Sequence, residues 1–130
     1  MNRTYIIFGF CLLLLGISLY LSFRQDTIIF DFLNIRTGFL HHPETGFFHY
    51  LIYSLPDGLW FAALLLIQVG ISGNPFSWMM IACALSPFIL EVGQLTFLPG
   101  TFDWNDIITY LLTLIIVYLC IRRKFTLFKQ

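Results

Sequence analysis

Three carboxylates stand close together in one of the most apolar parts of the chain, in the stretch EVGQLTFLPGTFDWND at residues 91–106. Gln94 follows Glu91 at the i+3 position and would share its face on a helix, and Asp106 follows Asp103 at the same spacing. Clustered carboxylates can bind a hard cation, share a proton and act as acid or base, or hold a cationic or hydroxyl-rich ligand. Glu91 and Asp106 are therefore candidate catalytic groups. Gln94 and Asp103 are candidate ligand-binding groups.

A structural interpretation of the same residues competes with the chemical one. Asp103, followed by another aspartate three residues later, resembles a capping box at the start of a helix, and the helix dipole favours both charges. Glu91 could instead form a helix–helix hydrogen bond to Gln94 or to a tyrosine. The chain has no Ser-His-Asp arrangement, glycine-rich phosphate loop or HExxH motif, so the sequence leaves open whether it is an enzyme. It indicates no particular cofactor.

Further candidate ligand-binding residues lie nearby in the predicted fold: Asp57, Tyr110 and His49. Tyr110 continues the face of Asp103 at i+7. Asp57 opens the second predicted helix, where Pro56 suits a first turn and Ser54 or Asp57 could cap the end. The histidines and acids show no spacing typical of zinc ligands, so no metal site is predicted.

The composition indicates whether the protein folds in water or in a lipid bilayer. Of 130 residues, 58% are hydrophobic and 11% are charged, whereas soluble domains carry about 25% charged residues. So short a chain cannot hide this much apolar surface from water, so the surplus must face a lipid bilayer. The zero net charge gives no indication of a nucleic-acid partner. Cys11, Cys83 and Cys120 lie in apolar runs, which predicts buried small side chains, neither disulfides nor metal ligands.

The apolar runs predict an all-α membrane protein with four transmembrane helices in a single domain. The helices cover about residues 5–23, 50–72, 76–97 and 104–121. No alternation of period two favours strands. The first helix is predicted to be retained, since no small-x-small cleavage site follows it. The stretch TIIFDFLNI in the first loop predicts a short interfacial helix.

The distribution of charge predicts the orientation. Arg3 precedes the first helix, and Arg122, Arg123, Lys124 and Lys129 follow the fourth, so both termini are expected in the cytoplasm. With four spans, all seven acids then fall on the opposite side. The candidate site is therefore expected to face outward.

The order EVGQ, then LPGTFDWND, then an apolar helix resembles the VanZ-like family of small bacterial membrane proteins. Its E-x-x-Q, turn proline and D-x-x-D correspond to Glu91, Gln94, Pro99, Asp103 and Asp106, and the resemblance covers about residues 55–120. The chain departs from the family in lacking an arginine in the turn, a charge that Arg36 or His49 would have to supply. The resemblance implies an inner-membrane protein of the bacterial cell envelope, in a family whose namesake is associated with teicoplanin resistance and has no settled biochemical activity.

Three functions remain open at this point. The first is binding or modification of a lipid-linked or cell-wall molecule at the outer surface. The second is a small, oligomeric transporter or ion-coupled carrier, which would need polar residues along the whole membrane depth. The third is a structural membrane subunit in which the carboxylates are caps and helix contacts.

Overall fold

The computed structural model describes residues 2–23, 46–98 and 102–127, apart from the side chains of residues 51 and 123–127. These residues form four helices, which confirms the all-helical prediction for the described part of the chain. They are α1 (Arg3–Phe23), α2 (Phe47–Ser72), α3 (Trp78–Gln94) and α4 (Trp104–Leu127). The predicted interfacial helix in the first loop lies outside the described residues.

Three helices are long and apolar enough to cross a membrane: α1, α2 and residues Trp104–Arg122 of α4. The chain is therefore a multi-pass membrane protein. The third helix is shorter than the predicted 76–97: its 17 residues extend about 25 Å, against a hydrocarbon core of about 30 Å. Ser77 begins it by accepting the backbone N–H of Met80 at 3.2 Å.

The end of α3 is set by a turn around Gly93. Its carbonyl accepts the backbone N–H groups of Thr96, Phe97 and Leu98 at 3.0–3.1 Å, so the chain leaves the helix within one turn. A side chain at Gly93 would require the Leu98 side chain to shift, since an added Cβ would lie 2.7 Å from its Cδ1. The return toward α4 is therefore closely packed at this position.

The second helix is the centre of the bundle. Nearly half of its apolar window is buried, against 11% for the windows of α1 and α4. The buried apolar core consists mainly of its residues, with contributions from the other three helices: Tyr5, Phe61, Ala62, Leu65, Leu66, Val69, Met80, Val117 and Ile121. The remaining faces of α1 and α4 carry exposed leucine, isoleucine and phenylalanine, as lipid-facing surfaces do.

Glycines allow α1 and α2 to approach closely as antiparallel neighbours. An added Cβ on Gly9 would lie 3.1 Å from the carbonyl oxygen of Ala63, and one on Gly70 would lie 3.1 Å from the carbonyl oxygen of Asn2. The backbone N–H of Asn2 donates to the carbonyl of Gly70 at 2.7 Å. Small residues at such contacts are typical of membrane helices, which associate mainly through close packing.

Three expectations from the sequence are wrong in detail. Helix α2 begins at Phe47, so Pro56 lies in its interior and is buried. Ser54 and Asp57 also lie in the interior, so neither caps the end of the helix. Neighbouring helices make an internal proline tolerable in a membrane helix. Cys11 and Cys120, predicted to be buried, are exposed.

The fourth helix continues past the predicted end at residue 121 to Leu127. Arginine and lysine are good helix formers. The basic residues therefore end the apolar span without ending the helix.

Candidate functional site

The Glu91 carboxylate lies in the last turn and a half of α3 and is almost fully enclosed, with 6% of the residue exposed. Its Oε2 accepts the backbone N–H of Asp103, with 3.4 Å between oxygen and nitrogen. This contact joins the end of α3 to the start of α4. The expected alternative for Glu91, a helix–helix hydrogen bond, is therefore present in a different form, with a backbone donor.

Asp103 is the N-cap of α4, as its spacing predicted. Its Oδ1 accepts the backbone N–H of Asn105 at 2.8 Å, and its carbonyl accepts the N–H of Asp106 at 3.2 Å. In a capping box the side chain at N3, here Asp106, accepts the N–H of the N-cap residue. Glu91, from a different helix, accepts that same N–H.

Glu91 is surrounded by charge of its own sign. The carboxylates of Asp106 and Asp103 are both close enough to repel it. Asp106 is half-buried and Asp103 is exposed, so the three groups extend from the protein interior to its surface. The structure thus brings together Glu91, Asp103 and Asp106, which are three of the four polar residues in the E-x-x-Q and D-x-x-D elements.

An aromatic cluster forms the floor beneath these carboxylates. Phe61 of α2, Phe88 of α3 and Tyr110 of α4 pack edge to face, with ring centroids 5.6–6.3 Å apart. Phe61 belongs to the buried apolar core, and Phe88 and Tyr110 pack against that core, so the cluster continues it toward the carboxylates.

The register of the helices places one acid a turn beyond each ring of the aromatic floor. Glu91 follows Phe88 at i+3, and Asp106 precedes Tyr110 at i−4. Asp57, which is half-buried, precedes Phe61 at i−4 on α2, so it approaches the same end of the bundle. We refer to Asp57, Glu91, Asp103 and Asp106 as the acidic rim.

The remaining predicted residues border the rim. Gln94 is half-buried at the end of α3, on the face of Glu91. Tyr110 lies in the aromatic floor, one turn inside Asp106. His49 lies in the first turn of α2, where its ring packs against that of Tyr53 at a tilt of 48°, with centroids 4.3 Å apart.

The sequence reasoning missed the aromatic floor and a hydrogen bond beside it. Phe61 and Phe88 lie at helical spacing from Asp57 and Glu91, and this spacing could have revealed the floor. The hydroxyls of Tyr50 and Thr109 are 2.6 Å apart and join α2 to α4 near the rim. Nothing in the spacing of two residues on different helices indicates such a bond.

The chemistry available to the rim follows from these contacts. Close carboxylates, one of them enclosed, can share a proton or bind hydroxyl and cationic groups. Among residues 2–23, 46–98 and 102–127, no three histidine, cysteine or acidic side chains are placed to hold one metal ion. No protein-family model, curated protein or solved structure matches the chain.

Proposed function

We propose that the chain is a VanZ-like, four-span protein of the bacterial inner membrane that binds a lipid-linked or cell-wall molecule at its acidic rim. Both termini lie in the cytoplasm, and the rim faces outward. Glu91 and Asp106 would serve as proton donor and acceptor if the bound molecule is modified. Asp57, Asp103, Gln94, Tyr110 and His49 would contribute to binding.

The enclosure of Glu91 beside two other acids is the observation that carries this proposal. Burying a carboxylate costs several kcal/mol unless it is paired or hydrated, and one long backbone hydrogen bond to Asp103 offsets little of that cost. A purely structural role would be served better by a neutral side chain. Acids gathered against their mutual repulsion favour a role in binding a cationic or hydroxyl-rich group.

The resemblance to the VanZ-like family points to the same residues. Its E-x-x-Q and D-x-x-D elements fall at the end of α3 and the start of α4. Glu91, the acid of the E-x-x-Q element, accepts the backbone N–H of Asp103, the first acid of the D-x-x-D element. This contact gives the spacing of the two elements a physical reason.

The polarity of the described core favours surface binding over conduction. Away from the rim, the buried residues between the helices include Leu65, Val69, Met80, Val117 and Ile121. A carrier would need polar groups along this depth. The second function considered from the sequence, an oligomeric carrier, therefore gains no support from the described part of the bundle.

The proposal is tested with isosteric neutral variants, Glu91→Gln and Asp106→Asn. Both amides nearly preserve the shape and can still accept a hydrogen bond. We expect the wild-type chain to confer teicoplanin resistance on a sensitive bacterium. We expect each variant to be present in the membrane in normal amounts, measured by immunoblot, but to have lost that resistance. Glu44→Gln, the same acid-to-amide change at an acid that is not one of the four rim residues, is the matched control.

Three results would count against the proposal. Full resistance with Glu91→Gln would show that its charge is not used. Loss of both neutral variants from the membrane, with Glu44→Gln retained, would support the structural interpretation. No resistance from the wild-type chain would remove the teicoplanin link.

A further inference from the structure

A long apolar groove runs along α2 between α1 and α4, where those two helices do not pack against each other. It has a volume of about 570 Å³. Phe8 and Leu12 line it from α1, Ala62 and Leu66 from α2, and Ile116 and Cys120 from α4. Apart from a few hydroxyl groups and one thiol, the lining is hydrocarbon, so an occupant must be apolar over most of its length.

The length and depth of the groove match one leaflet of a bilayer. On α4 the lining extends from Thr109 to Cys120, which is about 16 Å at 1.5 Å per residue. Half of a hydrocarbon core is about 15 Å. The groove therefore has the length of one extended acyl chain that enters from the end of the bundle opposite the acidic rim.

Two arginines stand at that end of the groove. Arg3 precedes the lining residue Thr4, and Arg122 follows Cys120 by two positions. Both arginines are exposed. Tyr5 and Cys120 both line the groove, so the start of α1 and the end of α4 lie at the same end of it. Guanidinium groups bind phosphate oxygens with two parallel hydrogen bonds, which makes arginine well suited to an anionic headgroup.

We propose that this groove seats one acyl chain of an anionic phospholipid whose phosphate binds Arg3 and Arg122. The apolar lining and the basic mouth correspond to the two parts of such a lipid. The inference does not depend on the acidic rim, which lies at the other end of the bundle. It agrees with the proposed orientation, because anionic lipids and basic residues both accumulate at the cytoplasmic surface.

The test uses the full chain in nanodiscs of phosphatidylcholine that contain a trace of phosphatidylglycerol with a diazirine midway along one acyl chain. After irradiation, adducts are located by peptide mass spectrometry. We expect them to concentrate on groove residues of α1 and α4. Ile116→Trp, which fills the groove, should lower labelling several-fold. Ile115→Trp is the matched control, since Ile115 is 54% exposed and Ile116 59%, and Ile115 does not line the groove.

The headgroup is tested with the same diazirine chain on phosphatidylcholine. One basic residue near the surface strengthens the binding of an anionic lipid by roughly fivefold, so two arginines should give a preference of roughly thirtyfold for phosphatidylglycerol. The double variant Arg3→Gln and Arg122→Gln should abolish this preference, and Glu91→Gln should leave it intact. The lipid preference would therefore still be expected if the rim variants had no effect on resistance and the proposed function were wrong.

Three outcomes would overturn the inference. Adducts spread evenly over groove and control faces would show that no chain is seated. Equal labelling by both headgroups would refute phosphate recognition. Crosslinking of Cys120 between two copies, without lipid adducts in the groove, would show that a second chain covers it. The wild-type adduct map decides the first point even if a tryptophan variant fails to fold.

Discussion

At the scale of single residues, Glu91 combines a hydrogen-bonding role with a charge, and the two can be separated. Its Oε2 accepts the backbone N–H of Asp103. Glu91→Gln keeps an acceptor and removes a buried charge, so it should leave the free energy of unfolding unchanged or raise it. Glu91→Ala leaves that N–H without its acceptor and should cost about 1–3 kcal/mol. Unfolding of the purified chain in detergent measures both.

The comparison between the two variants is informative in either direction. If Glu91→Gln and Glu91→Ala destabilise equally, the carboxylate charge itself contributes to stability, and the hydrogen-bond interpretation is wrong. Loss of stability with alanine alone would leave the charge available for function.

The sequence predicted some of these residue contacts and not others. The depth of Glu91 in an apolar helix and the capping spacing of Asp103 are local features, so their roles could be inferred. The bond between them depends on how the turn after Gly93 folds back. The hydrogen bond between Glu91 and Asp103 could therefore not be predicted from the sequence.

At the scale of helices, glycine at position 9 determines how closely α1 approaches α2. An added Cβ would lie 2.7 Å from the Ile67 side chain and 3.1 Å from the backbone oxygen of Ala63. We expect Gly9→Leu to separate the helices and to cost about 1–3 kcal/mol or more. Cys11→Leu, on the exposed face of the same helix, should change the unfolding free energy little. Equal effects in detergent would contradict this packing.

The hydroxyl pair between α2 and α4 provides a second test of helix packing. Tyr50 and Thr109 are 2.6 Å apart at their hydroxyl oxygens. A double-mutant cycle with Tyr50→Phe and Thr109→Val should give a coupling energy of about 0.6 kcal/mol, and at most about 1.7, as for other hydrogen bonds between membrane helices. A coupling energy of zero in unfolding measurements would show that the bond does not stabilise the bundle.

Helix existence was predictable from apolar runs, whereas helix ends were not. The run of apolar residues continues beyond Gln94, but the hydrogen bonds to the Gly93 carbonyl end α3 there. In α2, tertiary packing carries the helix through Pro56, where local chemistry predicted a first turn. The reasons differ: a local turn around Gly93 ends α3, whereas packing against neighbouring helices makes Pro56 tolerable inside α2.

At the scale of the whole molecule, the composition alone was enough to predict a membrane protein, because so few charges cannot cover a small water-soluble domain. The central position of α2 was not predictable. It depends on glycine and alanine contacts with α1 and on the contact of Gly58 with Thr109 and Thr113 of α4, and the groove between α1 and α4 follows from both. Charge separation places acids at one end of the bundle and Arg3 and Arg122 at the other.

Labelling of single cysteines tests this polarity, and with it the outward-facing acidic rim, most directly. In a chain with Cys11, Cys83 and Cys120 replaced, one cysteine is placed at Leu98, beside the rim, or at Arg122. A membrane-impermeant maleimide is added to intact spheroplasts. We expect Leu98→Cys to react at once and Arg122→Cys to react only after the membrane is broken. Reaction of Arg122→Cys in intact spheroplasts, with Leu98→Cys protected, would place the rim in the cytoplasm and contradict the proposed function.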